Sequence, residues 1–81
     1  MRIRLLAFAS AGDVLGSPET DLEVPAGTRV AELGAVLTQR WPALAPLWPR
    51  LAVAVDGELA RPDAPLAENS EVALLPPVSG G

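Results

Sequence analysis

Between Arg2 and Phe8 the residues alternate. Ile3, Leu5 and Ala7 fall on one side of an extended backbone, and Arg2, Arg4, Leu6 and Phe8 on the other. This period of two predicts a strand with the first set turned to a core. SAGDVLGSPE follows, and its Gly, Ser, Asp and Pro content predicts a loop or turn. Thr20–Val24 alternates again with Leu22 and Val24 inward, a second strand that pairs with the first as a hairpin. After the turn PAGT the period lengthens. Val30, Leu33, Leu37 and Trp41 recur at helical spacing, with Val36 widening the stripe, and predict a helix over Arg29–Trp41. Thr28 is placed to cap it, Glu32 in its first turn suits the helix dipole, and Pro42 stops it. PALAPLWPR, with three prolines in nine residues, reads as a loop with room for one helical turn. Leu51–Val55 is a third strand. Asp56-Gly57 is a hairpin turn, because both residues tolerate positive φ. Glu58 begins a short fourth strand, and Leu66 in the polar stretch RPDAPLAENSE plugs the core. Glu71–Leu75 is the last strand, ending at Pro76.

Strand, strand, helix, strand, short strand, strand is an α+β order. A mixed sheet of four or five strands with one main helix packed across it buries these faces most economically. That is the β-grasp, or ubiquitin-like, arrangement, in which the first and last strands lie parallel at the sheet centre. The reading divides the chain into a domain over 1–75 and a flexible, extended C-terminal tail over 76–81.

Composition narrows the chemistry. The chain has 81 residues, enough for one domain, and 49% of them are hydrophobic, so a core forms and disorder is not expected. There is no Cys, His or Tyr, and all six basic residues are Arg. A cysteine nucleophile, a thiolate zinc site and the usual general base at neutral pH are therefore excluded. The chain has no lysine to receive an acyl group, though it can be attached to a lysine elsewhere. A net charge of -4 argues against nucleic acid as a partner. No run approaches the roughly 20 apolar residues of a membrane span, and Arg4 interrupts the one stretch that faintly resembles a signal peptide. The expected location is the cytoplasm.

The chain ends PPVSGG. Two prolines stiffen the backbone and two glycines are slim enough for a narrow channel, so the tail suits delivery of a carboxylate into another protein's active site. A carboxylate is inert until activated. Adenylation makes it a mixed anhydride, which sulfide converts to a thiocarboxylate and an amine to an amide.

Through IRLLAFA, PAGTRVAEL, AVDGELA and EVALLPPVSGG, the whole chain resembles the small, sulfur-carrying subunit of molybdopterin synthase, a ubiquitin-like sulfur-carrier family. The ending Pro-Pro-Val-Ser-Gly-Gly is the most specific part of that resemblance. It implies that an activating enzyme uses ATP to adenylate the Gly81 carboxylate, and that sulfur drawn from cysteine by a desulfurase makes the thiocarboxylate. It implies that Pro76, Pro77, Val78, Ser79 and Gly80 enter the large synthase subunit, where sulfur passes to cyclic pyranopterin monophosphate. It further implies a heterotetramer with the large subunits central, catalysis on the large subunit, no activity of this chain alone, and no cofactor bound to it. Strand parity independently sets Leu6 and Phe8 with Ala73 and Leu75 on one non-core face, extended by Leu59. The resemblance puts Phe8, Leu59 and Leu75 in contact with the large subunit, although the family tends to be more aromatic at the last strand.

Three other functions compete: a sulfur carrier for thiamine, tRNA thiolation or cysteine synthesis; a protein modifier joined through Gly81; and an interaction domain with an inert tail. Trp41 and Trp48 read as lids on the core. The carboxylates Asp56, Glu58, Asp63, Glu68 and Glu71 read as solvated surface rather than a metal site. Arg2 and Arg4 either meet acidic groups on a partner or lie along the sheet edge.

Overall fold

The computed structural model describes residues 1–76. In chain order it forms β1 (Arg2–Ala7), α1 (Ala9–Leu15), β2 (Glu19–Glu23), α2 (Val30–Arg40), β3 (Ala52–Val55), β4 (Glu58–Leu59) and β5 (Glu71–Leu75). Two single 3-10 turns, Pro42–Leu44 and Trp48–Arg50, occupy the proline-rich stretch between α2 and β3.

The strands form one mixed sheet in the order β2-β1-β5-β3-β4. β1 and β5 run parallel, with Leu5 beside Val72 and Ala7 beside Leu74. β1 pairs antiparallel with β2, Ile3 opposite Leu22, and β5 with β3, Leu74 opposite Val53. The expected β-grasp is therefore present, with five strands and α2 as the main helix. Parity is as the alternation predicts. Ile3, Leu5, Val72 and Leu74 are fully buried and meet Leu33, Leu37 and Leu44. Leu66 is buried among them, and Trp41 and Trp48 are half-buried at the rim. Asp56 (φ 50°) and Gly57 (φ 87°) make the β3–β4 turn, both in the left-handed region that such hairpins require.

Three local expectations are corrected. The segment read as a loop contains α1. Composition pointed to a turn, but Ala11 is fully buried and α1 packs on β1 and β5. Gly12 permits that approach, since a Cβ there would lie 3.0 Å from the Ala7 carbonyl oxygen. Burial thus outweighs the weak helix propensity of Gly, Ser and Asp. Thr28 does not cap α2; Arg29 holds that position. The free N–H groups of Val30 and Ala31 instead donate to the carbonyls of Ala64 (3.0 Å) and Pro62 (2.8 Å). The Thr28 hydroxyl is left to close the preceding turn on Pro25 O at 2.6 Å. Glu32 accepts from the Arg29 N–H at 3.1 Å, completing the start of the helix. The helix also ends one residue early, because Trp41 adopts φ -124°, ψ 84° ahead of Pro42.

Two backbone positions carry the tightest constraints. Ala9 sits at φ 51°, the left-handed region, where the chain leaves β1 and enters α1. Gly34 faces the Trp48 indole so closely that a methyl group there would collide with the ring. Replacing Ala9 by Gly is expected to leave stability unchanged or raise it by up to about 1 kcal/mol, because an L side chain at positive φ costs roughly 1–2 kcal/mol. Gly34→Ala is expected to lower stability by about 1–3 kcal/mol through overpacking, despite Ala's better helix propensity. Urea unfolding of both variants checks the two signs; a destabilised Ala9→Gly or a stabilised Gly34→Ala would contradict this packing.

Candidate functional site

α2 covers one face of the sheet. On the opposite face the outward positions of neighbouring strands line up by register. Leu6 of β1 lies beside Ala73 of β5, Ala73 faces Ala54 of β3, and Ala54 faces Leu59 of β4. One row of apolar residues thus crosses four strands. The next row pairs Leu75 with Ala52, and Phe8 follows Ala7 at the end of β1 on the same side. Leu6, Ala73 and Leu75 are half-buried, Phe8 is 47% exposed and Leu59 75% exposed. Among the described residues these last two are the large hydrophobic residues the fold leaves most open.

Phe8 is held there by its backbone. Its φ of -117° and ψ of 151° continue the strand. Its carbonyl accepts from the N–H groups of Ala11 (3.2 Å) and Gly12 (3.4 Å), which anchors the first turn of α1. Ala9 then turns the chain away. The aromatic ring is left at the rim of the apolar face instead of under the helix.

The other half of the face is charged. Arg2 Nε lies 3.4 Å from Glu23 Oε1 and Arg4 Nε 3.4 Å from Asp21 Oδ1, each across the β1–β2 ladder. Both arginines are therefore partnered within the chain by cross-strand carboxylates. All four side chains are more than half exposed, so these pairs contribute little to stability, and they mark the boundary of the apolar region. The apolar half lies toward the ends of β1 and β5, where Leu75 leads into exposed Pro76.

The expected contact residues Leu6, Phe8, Leu59 and Leu75 thus share one face. Ala52 and Ala54 were not anticipated as part of it. The alternation in LAVAV was the available signal: Val53 and Val55 turn to the core, so the two alanines lie on the other face, Ala52 half-buried beside Leu75 and Ala54 buried between Ala73 and Leu59. Among the described residues no group of three or more Asp or Glu converges in a way that could hold a metal ion, and no helix is long and apolar enough to cross a membrane. Pro77, Val78, Ser79, Gly80 and Gly81, with the chemistry and mobility expected of them, lie outside the described residues.

The ThiS family model matches residues 5–81. A molybdopterin synthase sulfur carrier subunit of Caenorhabditis briggsae is 35% identical over 81 residues, spanning 98% of this chain and 96% of the relative. The protein of the same description from Escherichia coli is also 35% identical, spanning 98% of this chain and 99% of its own. Among solved structures, the small archaeal modifier protein SAMP1 of Haloferax volcanii superposes with a TM-score of 0.85 at 28% identity over the full length of both chains. An open apolar half-face beside the end of the last strand, on a β-grasp sheet, and identity along the whole length agree: the chain belongs to the ThiS family of ubiquitin-like proteins, alongside the molybdopterin synthase sulfur carrier subunits.

Proposed function

We propose that this chain is the sulfur carrier subunit of a molybdopterin synthase. The observation that carries the proposal is the apolar half-face of Leu6, Phe8, Ala54, Leu59, Ala73 and Leu75, next to the strand end from which the PPVSGG sequence continues. The names of relatives 35% identical over 98% of the chain support it.

In this reading the Gly81 carboxylate attacks the α-phosphate of ATP on an activating enzyme, releasing pyrophosphate and leaving an acyl adenylate. Sulfide-level sulfur displaces AMP and leaves a thiocarboxylate. Glycine keeps that carbonyl open to attack, because it has no side chain to shield it. The large synthase subunit grips the apolar half-face and takes the tail into its active site, where the thiocarboxylate sulfur passes to cyclic pyranopterin monophosphate. Two such transfers build the dithiolene, and each spent tail returns as a carboxylate. Bases and substrate pocket belong to the large subunit, which accords with a chain that has no His, Cys, Tyr or Lys. Neither ATP nor pterin needs a site on this chain.

A second reading draws on the likeness to an archaeal modifier protein. The same adenylate, attacked by a lysine of another protein, would join Gly81 to it by an amide.

The test is the intact mass of the chain co-expressed with its host's sulfur-activation proteins. A gain equal to one oxygen exchanged for sulfur, abolished by deleting Gly81, is expected. No gain, with the chain recovered on lysines of other proteins, would replace the carrier reading by the modifier one. Leu59→Asp and Phe8→Ala are expected to weaken binding of the large subunit tenfold or more, about 1.4 kcal/mol each. Leu59→Asp should leave unfolding stability within about 0.5 kcal/mol, because the site is exposed. Calorimetric titration showing unchanged affinity in both variants would remove this face from the interface.

A further inference from the structure

We propose that this chain is a donor only: once activated at Gly81, it acylates sulfide or another protein, but neither itself nor a second copy. The inference rests on the reading that Gly81 becomes an acyl donor, and it concerns what that donor is prevented from doing.

An acyl adenylate or thioester is consumed by any accessible amine or thiol nearby. The chain has no Lys and no Cys, and its six cationic side chains are guanidinium groups, which stay protonated and do not attack carbonyls at neutral pH. Its Ser and Thr hydroxyls have no histidine to activate them. The primary amine at Met1 is the remaining candidate, and the fold restrains it. It donates to Val24 O at 2.7 Å and lies 3.7 Å from Glu23 Oε2, with the Met1 side chain 9% exposed. These contacts hold the nitrogen against the end of β2.

Topology adds distance. β1 and β5 run parallel, so the amine stands at one end of the sheet and Pro76 leaves from the other. The six residues of β1 separate them by about 20 Å. Six residues of tail reach roughly 20 Å at full extension, so only a tail laid straight back along the sheet would arrive. Arg50 is placed differently. It lies two residues before Ala52, which faces Leu75 across the ladder, so it sits at the end from which the tail departs. Arginine at this position keeps a positive charge near the exit without placing an amine there.

In the excluded reaction an amine nitrogen attacks the Gly81 carbonyl, the C–S or C–O bond to the activating group breaks, that group leaves with the electron pair, and the nitrogen loses a proton to water. Nothing is oxidised or reduced.

The test installs the activated carbonyl chemically. The full chain is released from an intein fusion by a small alkyl thiol, giving a Gly81 thioester, and is incubated at mildly alkaline pH. Intact mass and resistance to hydroxylamine then separate amide from thioester. The unsubstituted chain is expected to give only the free acid by hydrolysis. Arg50→Lys is expected to give a hydroxylamine-resistant product lighter by one thiol, formed within one molecule. Arg2→Lys, at the far end, is expected to form amide at least tenfold more slowly, and in proportion to protein concentration. A hydroxylamine-resistant product in the unsubstituted chain, mapped to Met1, would overturn the proposal, as would an Arg50→Lys chain no more reactive than the parent. Equal rates in the two lysine variants would overturn its positional part. Because the thioester is made without any activating enzyme, these outcomes stand apart from the sulfur-carrier reading, whose failure would show in the co-expressed mass.

Discussion

The parallel pairing of β1 with β5 is the constraint on which the rest of the structure depends. A parallel pair needs a crossover, and here most of the chain is that crossover. The pairing sets Leu5 beside Val72 and Ala7 beside Leu74 under α2, and by the same period of two sets Leu6 beside Ala73 on the other face. A slip of one residue in either strand would exchange core for surface along it. The pairing also brings the ends of both strands to one edge of the sheet, so that Phe8, Leu75 and Pro76 are neighbours. Core and candidate interface are two consequences of one register.

Much of this was legible because alternation is a local signal. Arg2–Phe8, Thr20–Val24 and Glu71–Leu75 each showed their buried face, Leu51–Val55 read as a strand, and the Asp56-Gly57 turn is a matter of left-handed backbone preference. α1 was not legible, because what makes it a helix is non-local: Ala11 fills a space under the sheet, and Gly12 can approach the Ala7 carbonyl. The start of α2 was misplaced for a related reason. Thr28 looked like a cap, yet the donors it would satisfy are taken by carbonyls of Pro62 and Ala64, more than thirty residues on. Of the face itself, its large residues could be named from parity and resemblance. The alternation in LAVAV marked Ala52 and Ala54 as outward positions, but that they lie between Leu75, Ala73 and Leu59 depends on how β3 meets β5 and β4.

The split of the outer face explains how an acidic protein keeps an apolar surface open. Arg2 and Arg4 are paired with Glu23 and Asp21, and among the described residues the apolar half is left open at Phe8 and Leu59. Exposed Leu59 and Phe8 cost solubility in isolation and make sense where another protein covers them. The composition shows the same economy: a chain without His, Cys, Tyr or Lys has few side chains able to act as nucleophile or general base at neutral pH.

The central claim is that the apolar half-face and the PPVSGG segment engage one partner together. An NMR titration of the isotopically labelled chain with the large subunit tests it most directly. The account predicts shifts concentrated at Leu6, Phe8, Ala54, Leu59, Ala73, Leu75, Gly80 and Gly81, with the exposed side of α2 at Ala35, Gln39 and Arg40 unmoved. Shifts gathered on that helix surface, with Leu59 and Gly81 unchanged, would contradict it.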